Sequence, residues 1–201
     1  MASFSITDQD GQLLVSIARK VVTEFVSSGN RLALGKDIET RLSFDAGIFV
    51  TLNSKNVLRG CIGFALPRKI SESLPEAAIA AATEDPRFSP VEKVELGNII
   101  FEVTVLTPPE EIHVNDPAIL PDKIIVGRHG LIIKQGYNSG LLLPQVPVEY
   151  GWTEKEFLDH TCQKAGLPSK CWMQKQTRVF SFEGIIFKET KPGGVIIRED
   201  L

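Results

Sequence analysis

Ile48-Phe49-Val50-Thr51-Leu52 and Val57-Leu58 are strand-forming runs separated only by Asn53-Ser54-Lys55-Asn56, a string of turn formers. A connection that short cannot carry the chain across a sheet in the parallel sense, which takes about a dozen residues. The two runs must therefore pair antiparallel. The same logic recurs along the chain. Ile99, Phe101, Val103 and Val105 alternate with Glu102 and Thr104 until Thr107-Pro108-Pro109 ends the run. Ile124-Ile125-Val126 and Leu131-Ile132-Ile133 read as a hairpin around Gly127-Arg128-His129-Gly130. The turn Gly136-Tyr137-Asn138-Ser139-Gly140 then leads to Leu141-Leu142-Leu143-Pro144, and residues 179–187 form a last strand, bulged at Gly184.

Helices are interspersed with these strands. Leu13, Leu14, Ile17, Ala18, Val21, Val22, Phe25 and Val26 form one apolar stripe, with Thr7 or Asp8 as cap and Gly29 as stop. Ser73-Leu74-Pro75-Glu76 reads as a capping box opening an alanine-rich helix that Asp85-Pro86 terminates. Thr153-Glu154-Lys155-Glu156 is a second box, with Gly166 closing its helix. The expectation is an α+β fold, mostly antiparallel: one domain over residues 1–190, divisible into two lobes, and a tail over residues 191–201.

With 43% hydrophobic and 23% charged residues, the 201-residue chain can bury a sizeable core, and a formal net charge of −3 argues against nucleic-acid binding. Cys61, Cys162 and Cys171 are an odd number and too few for a disulfide framework, so they read as free thiols in a reducing cytoplasm. The first residues lack the basic start and apolar core of a signal peptide, and no apolar run is long enough to span a bilayer.

The chemistry concentrates in Leu58-Arg59-Gly60-Cys61-Ile62-Gly63. Strict alternation puts Arg59, Cys61 and Gly63 on one strand face, so Arg59 can supply the cation that lowers a thiol pKa. Cys61 is then a candidate nucleophile, Arg59 its stabiliser and Glu102 a candidate base. Against this stands an inert buried cysteine with Arg59 paired to an acidic residue, and Glu102 as the ion-pair partner of Arg59 or Arg87 rather than a base. Gly60 and Gly63 leave room for a ligand or another backbone. Asp85 can organise a turn from which Arg87 clamps an anion, and Gln145 is a candidate pocket residue. His113, His129 and His160 are scattered, and Cys162 and Cys171 lack the spacing of a zinc pair, so no metal site is expected.

Taken together, the chain resembles the AMMECR-one family, named from a chromosomal region linked to Alport syndrome, midface hypoplasia and elliptocytosis. The resemblance rests on Gly47-Ile48-Phe49-Val50-Thr51-Leu52, Leu58-Arg59-Gly60-Cys61-Ile62-Gly63, Asp85-Pro86-Arg87-Phe88, Leu106-Thr107-Pro108-Pro109-Glu110 and Gly127-Arg128-His129-Gly130-Leu131-Ile132. It continues through Leu142-Leu143-Pro144-Gln145-Val146, Gly151-Trp152 and Cys162-Gln163-Lys164-Ala165-Gly166-Leu167-Pro168. The family pattern carries Asp where this chain has His129. The resemblance implies a two-lobed α+β domain with an interlobe pocket lined by residues 58–63, serving ligand binding or catalysis. It also implies association with Memo-family proteins or radical S-adenosylmethionine enzymes, for which the chain would be a non-catalytic scaffold. It implies no settled biochemical activity.

Overall fold

The computed structural model describes residues 5–199. In chain order it contains α1 (Asp8–Ser28), α2 (Lys36–Arg41), β1 (Asp45–Ser54), β2 (Val57–Lys69), α3 (Ile70–Thr83) and β3 (Ile99–Leu106). Then come β4 (Glu110–Glu111), β5 (His129–Gln135), β6 (Asn138–Leu142), α4 (Gln145–Tyr150), α5 (Glu154–Lys164), β7 (Arg178–Glu189) and β8 (Ile196–Glu199). The strand pairings with a described register are all antiparallel, and the class is α+β. Among the described residues no helix is long and apolar enough to cross a membrane.

The chain divides into two units, Met1–Leu106 with Ile185–Asp200, and Thr107–Gly184. In the first, β2, β1 and β3 lie side by side, β3 neighbours β7, and β8 pairs with the end of β7. Part of the expected tail is thus a sheet strand, and residues 200–201 lie outside the described residues. The β1–β2 turn is Lys55-Asn56, both at positive φ (52° and 63°), as a two-residue hairpin with right-handed twist requires.

One face of this sheet is dry. Ile48, Val50 and Leu52 of β1, with Phe101, Val103 and Val105 of β3, join Leu14, Ile17, Ala18, Val21 and Val22 of α1 and the alanines of α3 in one core. Thr7 and Asp10 cap α1 reciprocally, and Gly29 ends it at φ 75°. From the flank of α1, Arg19 reaches the buried carboxylate of Glu189 through Nε and Nη2, and Nη2 also donates to the Ile99 carbonyl at 2.6 Å. Glu189 in turn accepts the Phe101 amide at 3.0 Å, so every partner of this buried charge is charged or strongly polar.

The second unit has its own core of Leu131, Ile133, Phe157, Leu158 and Val179. Three sequence expectations change here and at α3. The hairpin is β5–β6, turning at Gly136-Tyr137, while the amides of Arg128 and His129 both fold back on the Ile125 carbonyl and leave residues 124–126 unpaired. Helix α3 starts at Ile70 rather than at the Ser73 box, because the carbonyls of Phe44 and Leu42 accept the Ile70 and Ser71 amides. Ser73 is instead buried, its hydroxyl donating to the Lys69 carbonyl. Cys162 and Cys171 are not free thiols: they form a disulfide across nine positions of sequence, both fully buried. A single bridge of that kind has no framework spacing to reveal it.

Val21 has no exposed surface. Val21→Asp should cost at least about 3 kcal/mol, since an unpaired carboxylate would enter an apolar core; urea unfolding of the variant checks this, and an unchanged midpoint would contradict the packing. Closing so short a loop should stabilise the second unit by about 3 kcal/mol. Unfolding of the Cys162→Ala/Cys171→Ala variant should show that loss, whereas a wild-type midpoint indifferent to reductant would mean the bridge does not form.

Candidate functional site

β2 is the outermost strand of the β2–β1–β3 series, so its outward backbone groups have no strand to bond. At Cys61 two side chains replace one. Asp85 Oδ2 accepts the Cys61 amide at 2.8 Å, and Arg87 Nη2 reaches the Cys61 carbonyl at 3.4 Å. Arg87 also grips Asp85 with both ends of its fork, Nε to Oδ1 at 2.9 Å and Nη2 to Oδ2 at 2.7 Å, and its own amide adds a bond to Oδ1 at 3.1 Å. The Asp85 side chain is 3% exposed and that of Arg87 53%. Arg87 holds the Asp85 carboxyl well below the usual carboxylate range, overriding the opposing effect of burial, and the amides of Cys61 and Arg87 add to this.

Asp85 reaches Cys61 because α3 lies so close to β2. A Cβ on Gly60 would stand 2.1 Å from the Ala81 carbonyl oxygen, so only glycine allows the approach. Gly63 makes room for the Phe49 ring in the same way, 2.5 Å from where its Cβ would be. Both glycine spaces are filled by the protein's own atoms.

The face of the sheet opposite the helices carries a polar row. Thr51 on β1 lies opposite Cys61 on β2 and Glu102 on β3. Thr51 Oγ1 donates to Cys61 Sγ at 3.3 Å, and all three residues are half-buried. Neighbouring strands about 4.8 Å apart set Cys61 and Glu102 roughly 10 Å from each other, with the hydroxyl between. Burial pushes the Cys61 thiol up; the Thr51 hydroxyl and the Arg87 charge oppose it without prevailing. Burial also raises the Glu102 carboxyl, helped by Glu199 and opposed by Lys188.

Arg59 is elsewhere. The ladder pairs Leu58 with Asn53 and Gly60 with Leu52, which leaves Arg59 as an extra, bulged residue and breaks the strict alternation. Its guanidinium binds Glu95 through Nε (2.9 Å) and Nη2 (3.0 Å) and the carbonyls of Ser89 and Pro90 at 2.9 and 3.4 Å. The cation felt by Cys61 is Arg87, not Arg59. Glu102 pairs with neither arginine; its charged neighbours are Glu199 and Lys188. Gln145 is an exposed residue at the start of α4, in the other unit. Thr51 belongs to the row although alternation on β2 alone gave no sign of it. Among the described residues no group of three or more His, Cys, Asp and Glu is placed to hold a metal ion.

Comparison with known proteins places the chain in a family. The AMMECR1 family model matches residues 15–187. Protein PH0010 of Pyrococcus horikoshii is 48% identical over 204 residues, covering 98% of each chain. Protein NEQ441 of Nanoarchaeum equitans is 50% identical over 178 residues, covering 88% of this chain and 98% of its own. A crystal structure of the uncharacterized protein PH0010 superposes with a TM-score of 0.80, covering 98% of this chain and all of that one.

Asp85 binds fewer protons folded than unfolded, because its folded pKa is depressed. Its contribution is therefore complete above the ordinary aspartate pKa, about 3.9, and declines as pH falls from there toward the folded value. Asp85→Asn should cost about 2 kcal/mol at pH 7, allowing for the solvent exposure of Arg87, and should flatten the acid limb of a stability–pH curve. A variant whose curve parallels wild type would show that the clamp contributes nothing.

Proposed function

We propose that this chain, which belongs to the AMMECR1 family, binds a small ligand rich in hydrogen-bond acceptors over the Cys61–Thr51–Glu102 row. The observation that carries the reading is the row itself: a thiol, a hydroxyl and a carboxyl in one cross-strand register, on a face the core does not use. Burial favours the protonated forms of the two acidic groups, and a protonated thiol and carboxyl both donate. Carbonyl and amide groups match such a surface.

The raised Cys61 pKa weighs against a resting thiolate, so this reading is one of binding before nucleophilic catalysis. If Cys61 reacts, Arg87 is the cation that assists it, and Arg59 contributes by holding the bulge. A cytoplasmic setting is part of the same proposal. Buried disulfides occur inside hyperthermophilic archaea, and Pyrococcus supplies one of the relatives, so the Cys162–Cys171 bridge is compatible with it.

A second reading makes the chain a scaffold for a Memo-family protein or a radical S-adenosylmethionine enzyme. Its support is the exposure of Val57 (66%), Leu66 (69%) and Val94 (80%) in the first unit.

Competitive thiol labelling separates the two. Cys61 should label slowly at pH 7, with a midpoint above the ordinary thiol value of about 8.5, and Thr51→Val should raise that midpoint further. Within a set of carbonyl and amide metabolites, a ligand should protect Cys61 in wild type and fail to do so in Glu102→Ala, whereas Glu102→Gln, which still offers a donor, should keep the protection. Rapid labelling at pH 7 would refute the neutral thiol. Protection by a Memo-family protein and by no small molecule would transfer the case to the scaffold.

A further inference from the structure

We infer that the second unit carries a binding site for a small organic anion with an apolar body. A surface cavity of about 320 Å³ lies there, at the lower end of the size range of small-molecule sites. Its floor is part of the apolar core: Val114, Leu120, Trp172 and Val179 all line it. Its rim carries Glu111, Lys175 and Arg178, with the His113 imidazole beside them.

The charges do not cancel. Glu111 is held by the Arg178 guanidinium, Nε to Oε2 at 3.0 Å and Nη2 to the same oxygen. Lys175 has no carboxylate partner among the described residues, so the rim keeps a cation in excess. An apolar floor disfavours a fully hydrated inorganic ion, and the excess cation disfavours a neutral hydrocarbon; an aryl or branched aliphatic carboxylate satisfies both.

The wall is fixed in advance. Trp172 Nε1 donates to Asp159 Oδ1 at 2.8 Å, which also accepts the Lys170 amide at 2.9 Å. The preceding residue, Cys171, is tied to α5 by the disulfide, and its carbonyl accepts the Thr177 hydroxyl at 2.7 Å. An indole held on both sides loses little freedom when a ligand settles on it.

The test is heteronuclear NMR on the full chain, following the Trp172 indole N–H during titration with benzoate, benzyl alcohol and inorganic phosphate. Benzoate should shift the indole resonance and saturate in the millimolar range, with benzyl alcohol and phosphate each about fivefold weaker or more. Lys175→Glu should weaken benzoate at least about threefold, and Glu111→Gln should tighten it by freeing Arg178. Lys175 is exposed and the Glu111 side chain is 23% exposed, so circular dichroism of each variant accompanies the titration to confirm its folding. Equal affinity for benzoate and benzyl alcohol, saturation by phosphate as readily as by benzoate, or indifference to Lys175→Glu would each overturn the inference. So would benzoate shifts confined to Cys61 and its neighbours.

Discussion

The approach of α3 onto β2 at Gly60 is the constraint from which the first unit's polar architecture follows. With no Cβ at that position the Ala81 carbonyl can sit against the strand, and the alanines of α3 keep the helix low along its whole inner face. The helix then ends where Asp85 can reach the strand edge, and the following proline holds the chain out of helical geometry at that point. A bulkier residue at 60 would lift the helix, withdraw the carboxylate and leave the Cys61 amide bare.

The segment that follows α3 treats the edge of β2 in two places. Asp85 and Arg87 close it at Cys61, and Glu95 with the carbonyls of Ser89 and Pro90 holds the Arg59 bulge. Two arginine–carboxylate pairs thus flank Gly60 along the strand. In one the arginine belongs to the strand and in the other the strand offers its backbone. Covering an edge with side chains and a bulge also denies it to another chain's strand. Burial raises the pKa of the Cys61 thiol, and the Arg87 charge that the clamp brings does not outweigh it.

Much of this was legible in the sequence. The stripe of α1, the Thr7 and Thr153 caps, the β1–β2 turn and the two faces of β3 all follow from local periodicity and local chemistry. What was not legible depends on contacts between distant segments. Counted back from the Lys55-Asn56 turn, an unbroken ladder sets Thr51 opposite Gly60; only the bulge at Arg59 brings it to Cys61. That bulge is held by Glu95, 36 residues away, and strand alternation cannot see so far. The Ser73 box failed for a similar reason, since the first amides of α3 find carbonyls at 42 and 44 and need no hydroxyl. Of residues 124–126, Ile124 enters the second core without strand pairing, and Ile125 is 51% exposed.

The ion pair of Arg19 with Glu189 spans 170 positions of sequence. The first unit takes its opening 106 residues from one end of the chain and its closing strands from the other, with residues 107–184 forming the second unit between them. On the ribosome, then, α1 emerges long before the carboxylate that will neutralise its arginine. The inserted unit can complete its own pairings during synthesis, while the unit that begins first must wait to be finished last. Contacts so far apart along the chain are the slow kind to form, and until they form the apolar stripe of α1 has only part of its cover.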